Sequence, residues 1–186
     1  HRPNRRQRQM CIRDRIEPKY ITKSNPRVGL IALASDFMIE RDFINVIKDR
    51  EIDFFVNRIE CYNPLTKENL IKMSNKVTEV TKDILPEQDI DCVVYGCTSG
   101  TIAAGYNSIK QKVKAAKPMA EVTTPSTAAI KALQKLNIKK LCIFTPYSKK
   151  LNNEVVEYFK SEGFEITSNS YFCLLYTSPS PRDDVI

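Results

Sequence analysis

One cysteine of this chain stands where a thiol could do chemistry: Cys97, in Gly96-Cys97-Thr98-Ser99-Gly100-Thr101. A β-branched run precedes it and a helical stretch follows, so the sulfur falls between a strand end and a helix N-terminus. Free N–H groups and the helix dipole stabilise a thiolate there, which predicts a thiol pKa lowered from about 8.5 towards neutrality. Such a thiol is expected to alkylate faster than a free one at neutral pH. Gly96 and Gly100 allow the backbone to approach a ligand closely. The competing reading is a small buried apolar residue, the role assigned to Cys92 and Cys142 inside strands. Cys61, in a loop opening before Asn63-Pro64, is read as incidental.

Several chemistries are excluded. A cysteine phosphatase loop needs an arginine where Ala103 stands, and a P-loop needs a lysine where Thr101 follows Gly100. A cysteine hydrolase needs an imidazole to take and return the proton. The only histidine is His1, which also leaves little to hold zinc. What remains is chemistry a thiolate performs alone or with a second thiol: proton abstraction beside a carboxylate, or reversible addition to an activated double bond. Both need anion-binding donors around the substrate.

The elements that must position these residues alternate in type. Strands are predicted at Arg27–Leu33, Ile52–Ile59, Asp91–Tyr95, Met119–Val122 and Lys140–Phe144, with one more starting at Phe164–Thr167. Between them lie helices at Glu40–Ile47, from Thr66 as N-cap to Ile84, at Thr98–Ala115, Ser126–Leu136 and Leu151–Glu162. This alternation predicts an α/β fold, a parallel sheet with helices on both faces, which binds ligands at the carboxyl ends of its strands. Those ends carry Ser35 and Asp36, Cys97 with Thr98 and Ser99, Thr124, and Tyr147. Each hydroxyl alone is an ordinary cap; four strand ends around one cysteine make a candidate carboxylate pocket.

The two ends read differently from the body. Met10 to Asp14 can be encoded by a string whose reverse complement, in another frame, encodes Cys173 to Thr177. Residues 1–15 and 173–186 are therefore expected to be non-native, resembling a translated sequencing adapter, around an incomplete α/β domain at 16–172. The formal net charge is +7, but residues 1–15 hold six arginines against Asp14, and residues 173–186 hold Arg182 against Asp183 and Asp184. The body keeps +3, with scattered lysines and no nucleic-acid footprint. No apolar run approaches the roughly 18 residues of a membrane span. The cysteines show neither C-x-x-C spacing nor disulfide density, which favours a cytoplasmic setting.

The segments RVGLIALASDFMIERDF, CYNPLTKENLIKMS, VVYGCTSGT, VTTPSTAAIKAL and CIFTPYSKK, in this order, resemble landmarks of the aspartate/glutamate racemase superfamily. The likeness runs from about Arg27 to Thr167 and is strongest to its maleate cis-trans isomerase and ectoine-utilisation branch; the related arylmalonate decarboxylases lack this first-lobe cysteine. The resemblance implies two pseudo-symmetric lobes, each giving one cysteine, with this chain holding the first lobe and the start of the second. It implies that Cys97 attacks or deprotonates the substrate, that Tyr147 contacts a substrate carboxylate, and that Thr98 and Ser99 donate hydrogen bonds. Asp36 stands where the isomerases carry a substrate-binding asparagine; unless paired or protonated it would repel maleate and favour an amide, an amine or a less acidic substrate. The second cysteine is expected beyond Phe172, so the chain as it stands is expected to be inactive. No cofactor is implied, and a homodimer is implied for the full-length protein. The expectation is thus a cofactor-independent isomerase or racemase of a small carboxylate, with a decarboxylase or a non-catalytic carboxylate-binding domain as alternatives.

Overall fold

The computed structural model describes residues 25–172; the segments read as adapter-like, and residues 16–24 of the expected domain, lie outside the described residues. The elements run β1 Arg27–Leu33, α1 Ile39–Ile47, β2 Asp53–Ile59, α2 Lys67–Ser74, α3 Val77–Lys82, β3 Cys92–Tyr95, α4 Thr98–Ala104 and α5 Tyr106–Ala116. They continue with β4 Glu121–Thr123, α6 Pro125–Lys135, β5 Lys140–Thr145, α7 Lys149–Ser161 and β6 Glu165–Tyr171.

Four strands form a parallel sheet in the order β2-β1-β3-β4. Alternation along the strands divides the core, because successive side chains leave opposite faces. Ile31, Ile59, Val93, Tyr95 and Val122 join Leu70, Met73, Val77, Ile109 and Val113 from α2, α3 and α5. Leu30, Ala32 and Val94 face the other way, against Ile39 and Phe43 of α1, where Phe43 stacks on Phe54. The helices thus cover both faces.

β5 and β6 pair in parallel as a separate two-stranded sheet. Its Ile143 and Ile166 pack with Val155, Val156 and Phe159 of α7, and with Ile102 of α4. Tyr147 touches both this cluster and the main core, so the segment after β5 sits at the junction of the two sheets.

Two helices expected to be continuous are broken. The one after Thr66 stops at Ser74 and restarts at Val77, where Lys112 Nζ donates to Ser74 Oγ at 2.9 Å and Asn75 Oδ1 at 3.1 Å. Burial holds the Lys112 ammonium below its usual range. The helix after Cys97 breaks at Gly105, whose φ of 80° lies in the region glycine favours. One cysteine assignment also changes. Cys142 is exposed, with Ser168 Oγ donating to its sulfur at 3.0 Å, and is not a core thiol; Cys92 is half-buried, packed against the Leu30, Ala32 and Val94 cluster. Cys142 lies on a sheet with no layer over its second face among the described residues, which periodicity could not reveal.

Candidate functional site

β3 ends against a close backbone approach. Gly96 N–H donates to Ile31 O at 2.9 Å, and a Cβ on Gly96 would lie 3.0 Å from that same oxygen and 2.8 Å from Ile39 Cδ1. Glycine is therefore required by space rather than by its φ. The next residue, Cys97, is extended (φ −130°, ψ 109°) and caps α4: the Gly100 N–H donates to its sulfur at 3.2 Å. Thr101 fixes the turn from below, donating through both Oγ1 (2.7 Å) and N–H (3.1 Å) to Cys97 O.

The thiol is 3% exposed. Around it stand Ser99 Oγ at 3.8 Å, the glycine at position 100, and the buried Tyr95 ring. The predicted lowering of its pKa is not what this enclosure produces. Burial pushes the thiol up, and the Gly100 N–H and the Ser99 hydroxyl, which pull it down, do not overcome that. The sequence argument weighed the helix terminus but could not see how completely the sulfur is withdrawn from water. At rest it is a neutral thiol with a ready set of donors.

Of the other candidates, Ser99 and Tyr147 are brought to the sulfur. Ser99 is buried, and its hydroxyl favours the ionised form of the Tyr147 phenol, against the burial that raises it. Thr98 is half-buried in the first turn of α4. Thr124 is held in a capping box at the head of α6: its Oγ1 accepts from Thr127 N–H at 3.3 Å, and Thr127 Oγ1 accepts from the Thr124 N–H at 3.0 Å. That is the local role any threonine there could take.

Asp36 is likewise engaged locally. Its Oδ1 accepts from the N–H groups of Met38 (2.8 Å) and Ile39 (3.0 Å), which caps α1. Arg58 braces the same turn, donating to the backbone oxygens of Leu33 (3.0 Å) and Asp36 (2.6 Å) and pairing with Glu40 at 2.5 Å. The carboxylate thus meets the condition of pairing through backbone amides. Ser35 is exposed on this turn.

Two features escaped the sequence reading. Tyr95 was read only as a strand residue, although its place two before Cys97 sends both side chains to one face. The segment carrying Tyr147 is anchored by a buried polar chain, in which Thr145 Oγ1 donates to Asn152 Oδ1 at 2.8 Å and Asn152 Nδ2 to Asn169 Oδ1 at 3.2 Å. Asn152 is fully buried on α7, where only its burial distinguishes it from a surface asparagine. Among the described residues no three His, Cys, Asp or Glu side chains come together as a metal site, and no helix is long and apolar enough to cross a membrane.

The chain has relatives among known proteins. The family model described as arylmalonate decarboxylase matches residues 51–174, more than half of the chain. The chain belongs to the arylmalonate decarboxylase family. Within this racemase-like branch it is also similar to curated maleate isomerases. It is 25% identical to the maleate isomerase of Geobacillus stearothermophilus over 158 residues, 77% of this chain and 62% of that protein. Among solved structures, the maleate isomerase Iso of a Pseudomonas putida strain superposes with a TM-score of 0.69 at 24% identity, covering 78% of this chain and 63% of the other. A maleate cis-trans isomerase of Nocardia farcinica, solved with a covalently bound succinylcysteine intermediate, gives 0.69 at 20% identity over 78% and 63%. The chain therefore spans about 62% of the length of the curated relative. The parallel α/β fold of this member is that of both maleate isomerases and arylmalonate decarboxylases.

Proposed function

We propose that this family member is a cofactor-independent isomerase of small unsaturated carboxylates, with Cys97 adding to the substrate double bond. The observation that carries the reading is one buried sulfur that meets the Gly100 N–H and the Ser99 hydroxyl, with the Tyr147 hydroxyl beside Ser99. A thiolate forming there meets donors already in place, which is how a buried nucleophile is stabilised without an imidazole. The sulfur would form a bond to one alkene carbon while the π pair moves onto the carbon beside a carboxylate. Rotation about the resulting single bond and expulsion of the sulfur would return the other geometric isomer. Tyr147 and Ser99 suit the carboxylate that takes up the charge. The succinylcysteine recorded in the Nocardia farcinica relative is what such an adduct becomes when its carbanion is protonated.

The test separates addition from turnover. The chain is incubated with maleate, quenched in acid, digested and examined by mass spectrometry. A succinyl group on the Cys97 peptide, absent in Cys97→Ser, is the expected result. Binding of maleate by calorimetry with Cys97 never modified would sink the isomerase reading and leave a carboxylate-binding domain.

A further inference from the structure

We infer that Tyr95 is a positioning residue for the Cys97 thiolate, its hydroxyl left without a protein acceptor so that it can donate to the sulfur once the proton leaves. The inference rests on the preceding reading that Cys97 works as a thiolate, and goes beyond it by assigning the residue that holds that charge.

Tyr95 is fully buried, and its hydroxyl is the one buried side-chain oxygen or nitrogen among the described residues that has no hydrogen-bond partner. Buried hydroxyls nearly always find one, so an orphan calls for a reason. Its position supplies one. A Cβ built on Gly100 would lie 2.7 Å from Tyr95 Oη and 2.9 Å from Cys97 Sγ, with Met73 Cε closing the third side at 3.1 Å. Hydroxyl and sulfur therefore meet over the same glycine, in a space sealed by a methionine methyl. A neutral thiol is a weak acceptor, so in the resting state the hydroxyl gains little there. A thiolate is a strong one. Ionisation would give the sulfur a third donor beside Gly100 N–H and the Ser99 hydroxyl, and would satisfy the orphan in the same step.

Tyr95 does not supply the proton. Burial and the neighbouring sulfur push its phenol far above its usual range, so it donates a hydrogen bond and keeps its hydrogen. Cys61 and Tyr147 are the other titratable groups that act on the sulfur, and neither offers a positive charge that could do this work instead.

The experiment follows the ultraviolet absorbance of the thiolate against pH in the whole chain, as the difference from Cys97→Ser, with and without Tyr95→Phe, beside thermal melts of each protein. Tyr95→Phe is expected to raise the Cys97 midpoint by about one pH unit or more, the scale of one hydrogen bond to a charged group, while the melting temperature holds or rises. An unmoved midpoint with an unchanged melt would overturn the inference, leaving Tyr95 a core ring and the Cys97 reading intact. A large fall in melting temperature would also overturn it, by making the hydroxyl a structural bond. If Cys97 never ionises before the wild-type chain unfolds, the thiolate reading itself fails and this one with it.

Discussion

The amide of Gly100 donates to the sulfur of Cys97 over 3.2 Å, so one side chain both starts helix α4 and presents the thiol proposed to attack the substrate. Capping by a thiol is weaker than capping by a hydroxyl or carboxylate, because sulfur is a poor acceptor until it ionises. The arrangement therefore couples helix and charge: the α4 terminus is best satisfied when the thiolate forms.

Gly100 permits this geometry. Gly100→Ala places a methyl 2.7 Å from Tyr95 Oη, 2.9 Å from Cys97 Sγ and 3.1 Å from Met73 Cε. Real Cβ atoms do not approach so closely, and overpacking of this kind costs roughly 1–3 kcal/mol. Urea unfolding should show that loss. Adding Tyr95→Phe removes the nearest clashing atom, so the double variant should recover part of it; additive losses would mean that the hydroxyl is not what the methyl strikes.

Alkaline pH should weaken the fold through the same residues. Burial raises the Cys97 thiol and the Tyr147 phenol in the folded chain, which favours their protonated forms. The stability they support is complete below the unfolded thiol value of about 8.5, and it is lost as pH rises through the folded values, since the unfolded chain then binds fewer protons. The urea midpoint should fall steadily above that pH. Cys97→Ala should flatten the slope whatever it does to stability at neutral pH, and an unchanged slope would show that Cys97 is not among the groups responsible.

The alternation of strands and helices was readable because apolar periodicity reports burial, and β1 runs over Arg27–Leu33 as the pattern required. Ser99 and Tyr147 could be found beside Cys97 because strand ends in such sheets converge. What the pattern could not carry was competition for the same polar atoms. Asp36 and Thr124 sit at strand ends, yet their oxygens are held by the helices that follow. Nor could it carry the extent of enclosure, which reverses the sign of the Cys97 shift, or the tertiary clasp of Lys112 that ends α2. Single-chain patterns give the neighbours of a group along the sequence; its dielectric surroundings come from distant ones.

Asn152 holds the Tyr147 segment at a distance. It is fully buried between the Thr145 hydroxyl and the Asn169 amide oxygen, and the Tyr147 N–H points at that same Thr145 hydroxyl, 3.4 Å away. Asn152→Ala strands a buried hydroxyl and should cost roughly 1–3 kcal/mol, with faster amide exchange at Thr145 and Tyr147. Asn169→Ala, at an exposed position, should cost less. Equal losses would remove the burial of Asn152 as the cause.

Asp36 separates helix capping from substrate choice. Its Oδ1 serves Met38 and Ile39, a role an asparagine oxygen can also fill, so Asp36→Asn should leave the melting temperature nearly unchanged. Asp36→Ala loses both bonds and should cost about 0.5–2 kcal/mol, read most directly as faster exchange at those two amides. Under the proposed function the same pair reports on charge. If the carboxylate still repels a second anionic group, Asp36→Asn should increase the yield of Cys97 adduct with maleate more than with its monoamide, and Asp36→Ala should do so too despite the lost cap. If the two backbone donors have already neutralised it towards the substrate, the ratio of the two yields will be the same in all three proteins, and Asp36 is a cap alone.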